Sequence, residues 1–78
     1  MPTVKGIPGR FRVFFFSSDC KEPKHVHVRH ERRVCKFRLE PLTLARNYGF
    51  APHELAEIRD LIRYNLRRIM ESWDEHCD

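Results

Sequence analysis

Apolar and polar positions alternate, then switch period, along this chain of 78 residues. Residues 11–16, Phe-Arg-Val-Phe-Phe-Phe, form an aromatic and β-branched run that predicts a strand buried on much of both faces, either central or well covered. Residues 17–24 are turn formers with few apolar groups, and Pro23 turns Glu22 away from helix. Strict alternation returns in 25–29 and 34–39, which predicts two further strands. The short link between them, His30 to Arg33, implies an antiparallel hairpin. Val26 and Val28 then share a face with Cys35, Phe37 and Leu39. The opposite face collects His25, His27, Arg29, Lys36 and Arg38.

Pro41 opens a segment read as a short helix over 41–47, with Gly49 suited to a left-handed exit. From Pro52 the period becomes three and four: Leu55, Ile58, Leu61, Ile62, Leu66, Ile69, Met70 and Trp73. This predicts one amphipathic helix over 52–76, about 35 Å long. The expected fold class is α+β in β-β-β-α order. A three-stranded antiparallel sheet in order 1-2-3 carries a short helical turn and one long C-terminal helix packed on one face. Residues 1–10 form an irregular lead, 11–39 the sheet, and the whole of 1–78 one small domain. At this size only about 60% of the unfolded surface can be buried, so a partner or a homodimer could supply part of the stability.

Charge changes the picture more than composition does. The net charge is +4. Residues 1–38 hold ten Lys/Arg against three Asp/Glu, and residues 39–78 hold five against eight. A basic half attracts phosphate backbones or acidic partners, although a merely solvated surface has the same composition. No apolar run is long enough for a membrane span. The three cysteines, Cys20, Cys35 and Cys77, are odd in number and lack metal-ligand spacing, which points to a reduced, cytoplasmic setting. Cys35 alternates in phase with Phe37 and Leu39 and reads as a small buried apolar residue.

His25 and His27 are the candidate chemical centre. Two residues apart on a strand, their rings project together. They could serve as general base and acid in RNA cleavage, with Arg29, Lys36 or Arg38 holding the phosphate. Contact with RNA or an acidic protein demands less exact geometry. The same two histidines could ligate a metal, but a site needs a third ligand, and the spacing does not choose among Asp19, His30 and Glu31. Asn65 falls on the apolar side of the long helix, where a buried amide needs partners, either structural or in a ligand. Phe14, Phe15, Phe16 and Trp73 could stack bases but suit a core better. There is no glycine-rich phosphate loop, nucleophile elbow or zinc-finger spacing, and no cofactor is expected.

Several runs together resemble a known family. They are Met1-Pro2-Thr3, Pro23-Lys24-His25-Val26-His27-Val28, Lys36-Phe37-Arg38-Leu39-Glu40-Pro41 and Leu44-Ala45-Arg46-Asn47-Tyr48-Gly49-Phe50. Glu54-Leu55, Ile62, Asn65 and Trp73 complete the pattern. The chain resembles the small prokaryotic "domain of unknown function 4160" proteins over nearly its whole length. The resemblance brings no established activity. It implies a partner encoded beside it in a two-gene operon, an arrangement proposed to be a toxin–antitoxin module. It marks His25, His27, Asn47, Gly49, Asn65 and Trp73 as characteristic positions without assigning their roles. Lys24 departs from the pattern by separating Pro23 from His25, which makes that strand more cationic. Ala51 stands where Ser or Thr is usual, so the long helix is expected to fray at its start, at a cost of ~1 kcal/mol.

Three functions therefore stay open. The first is a module that binds RNA or an acidic protein through Arg29, Lys36, Arg38, Asn47 and Asn65. The second is a metal-independent ribonuclease toxin using His25 and His27. The third is a metal protein using the same histidines.

Overall fold

A computed structural model describes residues 3–77; Met1 and Pro2 of the expected lead lie outside them, as does Asp78. The strands are β1 (Arg12–Phe14), β2 (His25–His30), β3 (Arg33–Leu39) and β4 (Leu42–Tyr48). They form one antiparallel sheet in order β1-β2-β3-β4. A 3-10 turn, Ser17–Lys21, links β1 to β2, and two helices follow the sheet, α1 (Pro52–Tyr64) and α2 (Leu66–Cys77).

The central hairpin matches the alternation. Val26 faces Phe37 and Val28 faces Cys35 across β2 and β3, all at most 1% exposed. These side chains share a buried cluster with Leu39, Phe15, Ile58, Ile62, Ile69 and Trp73. The helices thus cover the valine face, as the three-and-four spacing requires. Fully burying each such side chain contributes about 1.5–3 kcal/mol. Glu31, at φ 58°, occupies the left-handed position of the tight β2–β3 turn.

Four expectations need correction. The segment 41–47, read as a short helix, is the strand β4. Its register against β3 shifts between Lys36 and Phe37: Phe37 pairs with Leu44 and Lys36 with Arg46, which leaves Ala45 as the extra residue. This bulge breaks the period-two pattern, and pairing with β3 overrides the helical preference of Leu and Ala. Second, the run 11–16 is well covered, with Val13, Phe14 and Phe15 buried, and stands at the sheet edge as the order 1-2-3 has it, but only Arg12–Phe14 of it is strand. An isolated bridge from Thr3 to Phe14 shields part of that edge.

Third, the helix over 52–76 is two helices that meet at Asn65. Asn65 has φ −113° and ψ 17°, outside helical geometry. Its side chain donates from Nδ2 to the Leu61 carbonyl at 2.8 Å, entering the backbone ladder. The apolar stripe runs through the break unchanged because Ile62 and Ile69 are both fully buried.

Fourth, the cysteines are not all thiols. Cys20 and Cys77 form a disulfide across 57 residues of sequence, joining the 3-10 turn to the end of α2. Only Cys35 is free among the described residues.

The expected fraying of α1 is also offset. Ala51 has no side-chain acceptor, but Glu54 accepts the Ala51 N–H on Oε1 at 3.0 Å, and Pro52 occupies the first turn.

Candidate functional site

The residues of the second sheet face lie in register across all four strands. Arg12 pairs with Arg29, and His25 with Arg38. Phe14, His27, Lys36 and Arg46 form one row across the sheet. Val34 faces Tyr48, and Arg38 faces Thr43. Arg12, Arg29, Arg38 and Arg46 are exposed. No carboxylate bridges any of these four among the described residues. Arg12 donates to Thr3 Oγ1, Arg29 to the Glu31 carbonyl, and Arg46 to the Tyr48 hydroxyl. Lys36 differs, because its Nζ lies 3.1 Å from Glu22 Oε1. A hollow of about 250 Å³ opens between Lys36, Arg38, Arg46, His25 and Glu22. Tyr48, 59% exposed, stands at the far end of β4, and Phe16, 41% exposed, lies beside His27. A larger hollow of about 450 Å³ lies elsewhere, between Lys5, Phe15, Arg68 and His76.

The histidines share the row direction of this face but not its exposure. His25 is 1% exposed. The 3-10 turn closes over the start of β2 and brings Asp19, itself buried, against both rings. His25 Nδ1 donates to the Pro23 carbonyl at 2.8 Å. Its Nε2 stands 3.1 Å from Asp19 Oδ2 yet makes no hydrogen bond. His27 Nε2 donates to the same oxygen at 3.2 Å, and the Phe16 N–H does so at 2.7 Å. Phe14 stacks on His27 at 5.4 Å, Phe16 meets it edge-on at 4.9 Å, and Trp73 meets the His25 ring at 5.4 Å. Burial holds the His27 pKa below its ordinary value, against the opposing pull of Asp19.

The remaining candidates have structural partners. Asn47 donates from Nδ2 to the Phe50 carbonyl at 2.9 Å and accepts the Phe50 N–H on Oδ1 at 3.0 Å. It closes the turn from β4 into α1, where Gly49 sits at φ 100° with Arg33 packed against it. Asn65 serves the helix break. His30 lies at the far end of β2, and Glu31 is 3.5 Å from it, so neither joins Asp19. The carboxylate that reaches both histidines is therefore Asp19. Sequence spacing could not select it, because the turn geometry that folds 17–21 over β2 leaves no periodic signature.

A family profile described as "Domain of unknown function (DUF4160)" matches residues 11–74. The chain belongs to this DUF4160 family. No curated protein and no solved structure is detectably similar to it. The matched span takes in the whole of the DUF4160 sheet, the Asp19–His25–His27 cluster, the basic face and the break at Asn65. Cys77 lies outside it, so the disulfide joins the matched domain to a residue beyond its boundary.

Proposed function

We propose that this DUF4160 protein is a binding module that takes single-stranded RNA on its basic sheet face. The observation that carries the reading is the set of Arg12, Arg29, Arg38 and Arg46, exposed in register on one face with no acid partner among the described residues. Phosphates would sit against Arg38, Arg46 and Lys36, and the hollow between them has room for one. Tyr48 and Phe16 offer exposed rings on which bases can stack. Asn47 and Asn65 act through the fold in this reading and do not contact the ligand.

The burial of His25, and the direction of its Nε2 toward Asp19, weigh against the histidine pair as acid and base on RNA. A general acid or base must reach the reacting hydroxyl.

A second reading is an acidic protein partner, such as the neighbour in a two-gene toxin–antitoxin module. It is favoured by β4, which forms an edge of the sheet with residues 43–48 all exposed. Such an edge accepts an extra strand through its backbone. A cytoplasmic setting belongs to the same proposal. The Cys20–Cys77 bridge sets it a condition, because in a reducing compartment the pair would be held as thiols. No described helix is long and apolar enough to cross a membrane.

The test is fluorescence anisotropy with a labelled single-stranded RNA across a salt series. Affinity should fall with log salt at a slope of roughly −0.7 per neutralised phosphate. The double variant Arg38→Glu, Arg46→Glu should lose binding at least tenfold while keeping its melting temperature. Unchanged RNA affinity in that variant, or no RNA binding at low salt, would overturn the RNA reading. Retention of an acidic protein from the host by the native chain but not the variant would then select the second.

A further inference from the structure

Asp19 Oδ2, His25 Nε2 and His27 Nε2 converge, with all ligand atoms within 4.8 Å of one another. Burial makes that convergence informative. His25 gives its Nδ1 proton to the Pro23 carbonyl, which leaves the Nε2 lone pair facing inward. That lone pair meets a carboxylate oxygen at 3.1 Å with no hydrogen bond between them, on a side chain 1% exposed. Two electron-rich atoms at this distance in a low-dielectric setting repel each other, and either a proton on Nε2 or a metal ion held by both groups relieves that repulsion.

We propose that Asp19, His25 and His27 form a binding site for a divalent first-row transition metal of the zinc class. Two imidazoles and one carboxylate are a donor set this class of ion takes. Ligand atoms on a tetrahedral zinc, at about 2.0–2.1 Å from the ion, stand about 3.3 Å apart. The separations here, 3.1 Å from His25 and 3.2 Å from His27 to Asp19, lie close to that edge. The outer partners suit the role as well. The Pro23 carbonyl fixes the His25 tautomer, and the Phe16 N–H orients the Asp19 carboxylate. Binding moves the His27 proton from Nε2 to Nδ1, so the ring stays neutral and offers its Nε2 lone pair to the metal, which takes the proton's place against the carboxylate. Lys24, which adds charge to this strand, is turned away to Asp74 at 3.2 Å. Three protein ligands leave a fourth position for water or an exogenous donor.

The experiment uses the oxidised chain, so that Cys20 and Cys77 offer no thiols. Zinc is titrated calorimetrically, and cobalt(II) is added in parallel to read its visible absorption. The expected result is one equivalent bound, a raised melting temperature and the intense visible bands of a four-coordinate cobalt site. His27→Ala, whose ring is the most accessible of the three groups, should lose all of these. His53→Ala, on α1 away from the cluster, should keep them. Because His27→Ala could itself unfold, Asp19→Asn, which keeps an oxygen and the residue's shape, is measured as well and should bind at least tenfold more weakly. Failure of the native oxidised chain to bind one equivalent at about 100 μM zinc, well above the affinities usual for structural zinc, would overturn the proposal. So would retention of binding in a folded His27→Ala, or equal loss in His53→Ala.

Discussion

Arg33 Nη1 donates to Glu54 Oε2 at 2.6 Å, tying β3 to the first turn of α1. The same carboxylate accepts the Ala51 N–H on its other oxygen. This second bond, more than Arg33, holds the Glu54 pKa below its ordinary 4.5, against the opposing effect of burial. A depressed folded-state pKa means that the unfolded chain binds the proton more readily. The stability from Glu54 is therefore fully present above about pH 4.5 and is lost as pH falls through the lower folded value. Melting curves from pH 3 to 7 should show this acid limb. Glu54→Gln should melt lower at pH 7, and its difference from the native protein should shrink as pH falls below about 4.5. A difference that stays constant with pH would remove the charge from the explanation.

Asn47 and Phe50 exchange two hydrogen bonds across the turn between β4 and α1. Asn47→Ala deletes both and leaves two backbone groups to find other partners. The expected loss is about 1–3 kcal/mol by urea denaturation. RNA affinity should not move, because Asn47 stands outside the basic hollow. A variant of native stability that binds RNA poorly would return Asn47 to the binding surface.

The contrast between Asn47 and Asp19 shows what the sequence could convey. Strand residues announced themselves by period, so the Val26/Phe37 and Val28/Cys35 pairing and the Arg29, Lys36 and Arg38 face opposite were legible, whereas Arg12 and Arg46 join that face through strand pairings the period did not convey. The helical stripe through Ile58, Ile62, Ile69 and Trp73 was equally plain. What failed lay where one residue breaks a period. Ala45 shifts the β4 register, and Asn65 diverts one carbonyl from a helix whose apolar stripe continues regardless. The candidate site fails for a different reason. Asp19 and His25 meet through a turn, and Cys20 and Cys77 through the tertiary fold, so neither contact has a spacing to read.

Cys35 has the opposite character to the disulfide pair. It is 1% exposed within the central hairpin, and burial pushes its thiol pKa up to about 12. Reaction requires a thiolate, and at pH 8 almost none exists. Iodoacetamide should label native oxidised protein only at the rate of global opening, and should label it at once in denaturant. Fast native labelling would place Cys35 in a region that opens locally.

Cys20 follows Asp19 directly, so the bond to Cys77 fixes the turn that carries the carboxylate. Closing a loop across 57 residues restricts the unfolded chain by about 4 kcal/mol in the chain-entropy account. Reduction should lower the melting temperature by several degrees or more. It should also loosen the 3-10 turn against α2 and so weaken zinc binding, even though it frees two thiols. Cys20→Ser, Cys77→Ser separates the two effects, because it removes the bridge without adding thiols. This variant should bind zinc more weakly than the oxidised chain while keeping RNA affinity, since the arginine row lies on the strands. If the double serine variant matches the oxidised chain in zinc affinity, the bridge stabilises the fold without positioning Asp19.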